Sequence, residues 1–278
     1  MDRVPFKGKQ VLIADDYKPN TEMVAFAGRE NELELIQAAW IWNSKSPPLS
    51  PLLVGEPGVG KNRIVYELHE QTGLPLYILQ GHEDITAEDL ACSVRFSDED
   101  RAKMDYVLSP LSTAMLKGGI CFIDEIGKIR PRALALLVSV LDERRYIDST
   151  LLGDRIEAHK NFRFIAATNE GEEKRDLPEF IRSRLQPIIH VETNNEDIRI
   201  IVHSLLSGQF EQEKLIIKFW ELWRDLESPT PRQAIQLFAL ASSFAGYELR
   251  PKSKDQRETP PSLKETHLSH AFDELFKK

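Results

Sequence analysis

The chain has little cysteine, no long apolar run and no excess of positive charge. Its two cysteines, Cys92 and Cys121, provide neither a disulfide framework nor the spacing of a metal site. No apolar run approaches membrane-spanning length, and the start, MDRVPFKGKQ, lacks the apolar core of a signal peptide. The net charge of −8, from 36 basic and 44 acidic residues, argues against broad affinity for nucleic acid or anionic membranes. We therefore expect a cytoplasmic protein with no membrane partner.

The length of 278 residues and the 41% hydrophobic content suit one large domain and one small domain. We predict an N-terminal extension over residues 1–24, an α/β domain over 25–193 and a helical domain over 194–247. A charged linker and a C-terminal helix are expected over 248–278. Cys121 lies within an apolar run and is expected to be a small buried side chain.

A glycine-rich loop lies between a predicted strand and a predicted helix. Leu52 to Val54 form an apolar run typical of a buried strand. The next residues fit the phosphate-loop pattern G-x-x-x-x-G-K: Gly55, Glu56, Pro57, Gly58, Val59, Gly60 and Lys61. Glycines allow several backbone N–H groups to point at phosphate oxygens, the following helix N-terminus favours anions, and Lys61 adds a positive charge. The alternative is a plain glycine-rich turn, but the context favours a nucleotide site that includes Asn62 and Arg63.

Asn62 departs from the pattern, because Ser or Thr normally follows the lysine and offers a hydroxyl to Mg²⁺. The amide oxygen of Asn62 is a hard donor that could ligate the ion instead. The substitution could equally weaken the metal site and slow hydrolysis. Both possibilities stay open at the level of the sequence.

Two acidic residues follow the apolar run Ile120–Ile123 directly. Ligands bind at the carboxyl ends of strands in parallel α/β sheets, which is where Asp124 and Glu125 are expected. Beside a phosphate loop, Asp124 suits a Mg²⁺ ligand and Glu125 suits the general base that activates water. The alternative is a solvated pair that caps the next turn.

Strands alternate with helices along the α/β region, which predicts a parallel sheet with right-handed crossovers. Residues 1–20 are expected to be irregular or to contain one strand at 10–13. The charged stretch 95–105 is interpreted as an exposed insertion, and 144–158 as a hairpin. Helices are predicted over 131–143 and 177–185.

The ordered set of motifs resembles the AAA+ ATPases. The stretches DITAEDL, LSPLSTAMLKGGICFIDEIGKI, LLVSVLDERRYI, FRFIAATN and LPEFIRSRL are similar to the MoxR branch and its dynein-related relatives, and the resemblance covers about 25–244. It implies an α/β fold with a five-stranded parallel sheet in the order 5-1-4-3-2, flanked by helices. A small all-helical lid would follow the sheet.

The resemblance also implies roles for polar residues beyond the phosphate loop. Asn169 matches the residue that helps to position the attacking water. Arg184, with Arg182 in reserve, matches the finger arginine that acts on a neighbouring subunit's nucleotide. Arg232 matches a lid arginine that reaches the γ-phosphate; a cation in the first turn of a helix also meets an unfavourable dipole, which pairing with an anion would relieve. The alternative for each of these arginines is an ordinary surface charge without a role at the nucleotide. The insertions at 95–105 and 144–158 match two inserts directed at a central pore.

The resemblance implies a homo-oligomeric ring, expected to be a hexamer, that uses ATP and Mg²⁺. Its work would be remodelling, maturation or cofactor insertion of a client protein, with a von Willebrand A domain protein as a possible partner. One alternative is an ATP-gated switch that hydrolyses slowly, which Asn62 favours. Another is a DNA-associated or defence-system ATPase that uses the basic cluster at Lys128, Arg130 and Arg132, against which the net charge speaks.

Overall fold

A computed structural model describes residues 1–20, 26, 28–41, 46–97, 103–169, 177–209, 211–248 and 262–277. No helix in these ranges is long and apolar enough to cross a membrane. The chain forms two compact units. The first comprises Met1–Pro19, Arg29–Pro57 and Lys61–Val191, and the second comprises Asn20–Gly28, Gly58–Gly60 and Glu192–Lys278. The sequence-based division into four segments remains a prediction.

All the strands among the described residues belong to the first unit. They are β1 (Arg3–Phe6), β2 (Lys9–Leu12), β3 (Leu52–Gly55), β4 (Leu76–Gln80), β5 (Cys92–Phe96), β6 (Met104–Leu108), β7 (Gly119–Asp124), β8 (Tyr146–Ser149), β9 (Asp154–Glu157), β10 (Phe162–Asn169) and β11 (Ile188–His190).

Five of these strands form an all-parallel sheet in the order β11-β3-β10-β7-β4. Numbered along the chain within this sheet, the order is 5-1-4-3-2, so the predicted topology is confirmed. Residues Ile120 to Ile123 of β7 are fully buried, as expected of a strand covered on both faces. Cys121 lies within this run, and its predicted burial is confirmed.

A second, four-stranded sheet has the order β1-β2-β6-β5 and was not predicted. The expectation for residues 1–20 is corrected, since two antiparallel strands form there instead of at most one. In the stretch 95–105, Phe96 and Met104 are exposed, as predicted for an exposed insertion, and β5 and β6 pair there as an antiparallel hairpin. Its residues 98–102 lie outside the described part. The predicted hairpin at 144–158 is confirmed as β8 and β9.

The helices are α1 (Glu30–Ala39), α2 (Lys61–Thr72), α3 (Ala87–Ala91), α4 (Pro110–Lys117), α5 (Pro131–Leu134), α6 (Val138–Leu141), α7 (Glu179–Arg182), α8 (Asn195–Leu205), α9 (Gln212–Trp223), α10 (Pro231–Glu248) and α11 (Glu265–Phe276). Short 3₁₀ segments occur at Ile126–Lys128 and Ala135–Leu137.

Two helix predictions in the first unit need correction. The continuous helix predicted over 131–143 is divided by the 3₁₀ turn between α5 and α6. Leu134, Leu137 and Val140 are buried at a spacing of three, which is the period of a 3₁₀ helix. The helix predicted over 177–185 is shorter, since α7 ends at Arg182. Gln186, which follows the predicted range and precedes a proline, pairs with Ser50.

The second unit contains α8 to α11, which share one apolar core that includes Phe219, Trp223 and Phe238. The rings of Phe219 and Phe238 stack with centroids 5.3 Å apart. Thr230 caps α10 through a reciprocal pair of hydrogen bonds with Gln233, the Thr hydroxyl accepting from the Gln233 N–H. Residues 249–261, within the predicted charged linker, lie outside the described part.

Candidate functional site

The phosphate-loop residues lie where β3 ends and α2 begins. Gly55 is the last residue of β3, and Lys61 is the first residue of α2. Glu56 and Pro57 are exposed, whereas Val59 is 3% exposed. Gly58 and Gly60 have φ angles of 91° and 104°, a conformation that favours glycine and explains the two glycines of the motif. Arg63 lies half-buried in the first turn of α2.

The side chain of Lys61 is buried and fully engaged with oxygen acceptors. Its Nζ donates to the carbonyl of Gly55 at 2.7 Å, to that of Glu56 at 3.0 Å and to Asn169 Oδ1 at 2.9 Å. A buried ammonium group needs such partners. Phosphate oxygens are stronger, charged acceptors, so this cation is suited to exchange its neutral partners for an anion.

Asp124 lies at the carboxyl end of β7, facing the start of α2. Asn62 Nδ2 donates to Asp124 Oδ2 at 3.0 Å. This contact brings together the two residues that the sequence analysis considered as Mg²⁺ ligands. Burial, a hydrogen bond with Tyr17 and the nearby Asp124 carboxylate raise the pKa of Tyr66, on the same helix as Asn62, to about 12.

The carboxylate of Glu125 is surrounded by donors. Glu125 Oε2 accepts from Gln80 Nε2 and from Lys128 Nζ, both at 2.9 Å. Asn169 Nδ2 lies 3.4 Å from Glu125 Oε1. Glu125 itself has a φ of 55°, which is uncommon for a residue other than glycine.

Asn169 connects the two ends of the site. It ends β10, which lies between β3 and β7 in the sheet, and it contacts both Lys61 and Glu125 through its amide. The sheet thus brings Lys61, Asn62, Asp124, Glu125 and Asn169 together, at the carboxyl ends of three adjacent strands.

Sequence reasoning missed three neighbours of the acidic pair. Gln80 ends β4 and Lys128 follows Glu125 by three residues; the sequence analysis assigned Lys128 only to a basic cluster. Gly81 N donates to Asp124 O at 2.7 Å, and a Cβ added at Gly81 would lie 2.3 Å from Glu125 O. A polar residue and a glycine directly after an apolar run were the available signal for Gln80 and Gly81.

The donor set of Asn62 and Asp124 fits a magnesium ion. An amide oxygen and a carboxylate are both hard oxygen ligands, and Mg²⁺ usually binds through one or two carboxylates together with substrate phosphates. Among the described residues there is no cluster of three or more His, Cys, Asp or Glu side chains that would hold a metal without a substrate.

The two finger candidates lie in and just after α7. Arg182 is exposed and ends the helix. Arg184 is half-buried, and its Nη1 donates to the carbonyl of Phe180 at 2.6 Å. Asp142 lies near Arg184; the pKa of the Asp142 carboxyl is lowered mainly by hydrogen bonding to Arg144 and, to a smaller extent, by the charge of Arg184.

Arg232 lies in the first turn of α10 in the second unit, and its side chain is exposed. Gly58 belongs to the same compact unit. The N–H of Arg232 donates to Gly58 O at 3.4 Å, and a Cβ added at Gly58 would lie 3.1 Å from Arg232 Cβ. A side chain at position 58 would therefore crowd Arg232.

Comparisons with known proteins agree with this geometry. The family model for the AAA domain of the dynein-related subfamily matches residues 50–185. An uncharacterized protein of Staphylococcus aureus strain USA300 is 35% identical over 177 residues, which are 61% of this chain and 66% of that protein. Its counterpart in strain NCTC 8325 is 34% identical over 176 residues, with the same coverage. The match thus spans about 66% of the length of these relatives.

Solved structures of similar fold include a point mutant of RuvB from Thermotoga maritima. It has a TM-score of 0.60 and 18% identity, and the match covers 90% of this chain and 71% of RuvB. The Thermotoga maritima RuvB Holliday junction branch migration motor gives a TM-score of 0.57 at 17% identity, covering 90% of this chain and 70% of that one. At these identities the likeness concerns the fold.

Proposed function

We propose, from the match of the dynein-related AAA domain model to residues 50–185, that this chain is an AAA+ ATPase and that it hydrolyses ATP in a ring of identical subunits. We further propose that it belongs to the MoxR branch. The work of the ring is the remodelling, maturation or cofactor insertion of a client protein, with a von Willebrand A domain protein as a candidate partner.

One observation carries the ATPase proposal. A buried lysine, a polar amide and a carboxylate form a continuous hydrogen-bonded series from Lys61 through Asn169 to Glu125. The series runs across adjacent ends of β3, β10 and β7. In this proposal Lys61 binds phosphate at one end of the series and Glu125 acts as the base at the other, as transfer of a phosphoryl group to water requires.

Each residue has a separate task in this mechanism. Lys61 exchanges its carbonyl and amide acceptors for phosphate oxygens. Asn169, released from Lys61, orients the attacking water beside Glu125, which accepts a proton from it. Asn62 and Asp124 would hold Mg²⁺, which when bound neutralises charge on the phosphates.

The experiment compares Lys61→Ala with Glu125→Gln. Lys61→Ala removes the buried cation and is expected to abolish ATP binding in a fluorescent-nucleotide titration. Glu125→Gln keeps the shape and the donors' partner atom but not the base, so it should bind ATP like the parent and lose turnover by about 10²–10⁴-fold. Turnover of Glu125→Gln at the parent rate would show that the base is another group.

Substitution of Arg184 tests whether the subunits form a ring in which this residue takes part in hydrolysis. A planar, permanently charged guanidinium suits the charge that develops on a transferred phosphoryl group. We expect Arg184→Ala to keep ATP affinity and to lose turnover by a factor on the order of 10³, as finger arginines do. Arg224, exposed to 75% at its side chain in the second unit, is a matched control; Arg224→Ala should behave like the parent.

Recovery of ATPase activity in mixed rings tests whether Arg184 acts on the nucleotide of a neighbouring subunit. Mixing Arg184→Ala with Lys61→Ala protein should restore part of the activity, because some interfaces then pair an intact Lys61 with an intact Arg184. Absence of recovery in rings shown to be mixed by native mass spectrometry would contradict the assignment. The same spectra give the number of subunits, which we expect to be six.

A second candidate is an ATP-gated switch with slow basal hydrolysis. The observation that favours it is the set of donors around Glu125, since Gln80 and Lys128 both donate to Glu125 Oε2 and leave fewer acceptor positions for the attacking water. Steady-state turnover with and without Mg²⁺ separates the two candidates. A switch would bind ATP and assemble, but its rate of ATP turnover would be low and Mg²⁺ would raise that rate little.

A further inference from the structure

The first two strands contact two hairpins that lie far apart in the chain. These are the β5–β6 and β8–β9 hairpins, which contain the stretches interpreted from the sequence as an insertion and a hairpin. β1 and β2 pair antiparallel, and the two residues between them, Lys7 and Gly8, have φ angles of 43° and 82°. Positive φ at both positions is typical of the tight type I′ turn that joins two strands. We call residues 3–12 the N-terminal hairpin.

The N-terminal hairpin is joined to the β5–β6 hairpin by main-chain and side-chain bonds. β2 pairs with β6 in parallel, with Val11 opposite Tyr106. Arg3 Nη2 donates to Asp105 Oδ2 at 2.9 Å and to Ser97 Oγ at 3.3 Å. Asp105 and Ser97 are buried, so salt screens this ion pair less than it screens a pair on the surface. Main-chain pairing and a shielded ion pair therefore attach β1 and β2 to the β5–β6 hairpin.

The turn of the N-terminal hairpin contacts the β8–β9 hairpin. Lys7 Nζ donates to Arg155 O at 2.7 Å. Lys9 Nζ donates to Asp154 Oδ2 at 2.7 Å and also to Leu152 O. Asp154 is the first residue of β9, and Leu152 lies in the turn that precedes it. The two lysines thus hold the β8–β9 turn and the start of β9.

Apolar packing holds the β8–β9 turn in the same place. Leu152 is 1% exposed and belongs to the same apolar core as Phe6 and Val11 of the N-terminal hairpin. A Cβ added at Gly153 would lie 3.8 Å from Lys9 Nζ, so the lysine passes close to the turn backbone. Movement of the turn would expose the leucine and break a charge-assisted hydrogen bond, and both changes are unfavourable.

We propose that the N-terminal hairpin is a strap that joins the β5–β6 and β8–β9 hairpins into one rigid body, so that displacement of either hairpin displaces the other. Pairing with β6 fixes one side of the strap, and the contacts of Lys7 and Lys9 fix the other side. Coupling between two segments can be carried by a rigid, hydrogen-bonded element that contacts both. The inference goes beyond the proposed function, because it requires neither ATP nor a ring.

Lys9 is the side chain that contributes most to the contact between the strap and the β8–β9 hairpin. It binds two acceptors, one of which is the carboxylate of Asp154, whereas Lys7 binds the neutral carbonyl of Arg155. Hydrogen bonds between two charged groups are stronger than those to neutral acceptors. Loss of the Lys9 side chain should therefore release the turn more than loss of the Lys7 side chain.

Pulsed electron paramagnetic resonance measures the distance between spin labels on the two hairpins. One label is attached at Val94→Cys in β5, where the side chain is 36% exposed, and the other at Thr150→Cys in the exposed part of the β8–β9 turn. The native Cys92 and Cys121 are buried, so the label reacts with the introduced cysteines. With the strap intact, we expect a single narrow distribution of distances.

Substitution of the strap lysines should broaden this distribution. Lys9→Met removes the charge and both bonds and should increase the width by about twofold, because the turn can then open locally. Lys7→Met should increase the width less. Lys9→Arg retains a cation that can bind Asp154 and should keep the distribution narrow. Lys18→Met is the matched control, since Lys18 pairs with Asp16 outside the strap, and it should leave the width unchanged.

Two results would overturn the strap. One is an equal width for the intact protein and Lys9→Met. The other is an intact protein whose distribution is broader than that of a reference pair on two helices, Glu70→Cys in α2 and Lys117→Cys in α4. If circular dichroism shows that Lys9→Met unfolds, Asp154→Asn replaces it. This variant removes only the charge of the acceptor and should broaden the distribution in the same direction, and an unchanged width would again contradict the strap.

Discussion

The two larger sheets of the first unit, the five-stranded parallel sheet and the four-stranded mixed sheet, differ in composition, burial and use. The parallel sheet is built from short apolar runs and carries the acidic, amide and lysine side chains at the carboxyl ends of its strands. The mixed sheet joins β1 and β2 to β5 and β6, and its outer residues Phe96 and Met104 are 68% and 64% exposed. The sheet that is buried on both faces therefore supports the site, whereas the half-exposed sheet presents apolar side chains to its surroundings.

The difference shows how burial affects the freedom of a sheet. A strand covered on both faces cannot shift without exposing apolar area, so the groups at its end are held in fixed positions. A strand with one solvated face is held by fewer contacts and tolerates change on that face. The following substitutions test this contrast, beginning with the largest expected effect.

The same substitution in each sheet gives the clearest comparison. Phe122→Ala in β7 removes a fully buried ring and should lower the free energy of unfolding by about 3–5 kcal/mol. Phe96→Ala in β5 removes an exposed ring and should change it by less than about 0.5 kcal/mol. Urea denaturation of both variants measures the two values. Similar losses would mean that the mixed sheet is as tightly packed as the parallel one.

Two glycines, one beside each sheet, allow a second comparison of substitutions. Gly81→Ala places a Cβ against the backbone of Glu125 and should cost about 1–3 kcal/mol through local displacement, together with a loss of turnover. Gly8→Ala, between β1 and β2, meets no atom within 4 Å but requires a φ of 82°. It should cost about 1 kcal/mol of stability and leave turnover unchanged. Unchanged turnover of Gly81→Ala would show that the position of Glu125 is not critical.

The smallest expected effect concerns an ion pair within the mixed sheet. Arg3 Nη2 lies 2.9 Å from Asp105 Oδ2, whose side chain is 9% exposed. Arg3→Ala leaves this carboxylate with fewer donors and should cost about 1 kcal/mol in thermal or urea unfolding, without affecting ATP binding. The double variant with Asp105→Ala should recover most of the loss. No recovery would show that the pair contributes through packing and not through charge.

The sequence by itself determined the parallel sheet and the principal residues at its edge. Apolar runs end in Gly55, Asp124 and Asn169, and short runs of this kind that end in glycine or polar residues favour strands buried on both faces. Strand order followed from the resemblance, and the structure agrees with it. The roles of Arg182, Arg184 and Arg232 remain predictions, because they concern bound nucleotide and neighbouring subunits.

Only the tertiary structure shows which other residues lie beside the site residues that the sequence analysis named. Gln80 reaches Glu125 from the end of β4, and Lys128 reaches it across a 3₁₀ turn, and neither residue carries a motif of its own. In the mixed sheet, β1 and β5 are largely exposed, so periodicity gave no signal for them, whereas the run at 10–13 favoured the strand that is β2. Local patterns report what a segment buries, whereas side-chain contacts between segments depend on how the whole chain packs.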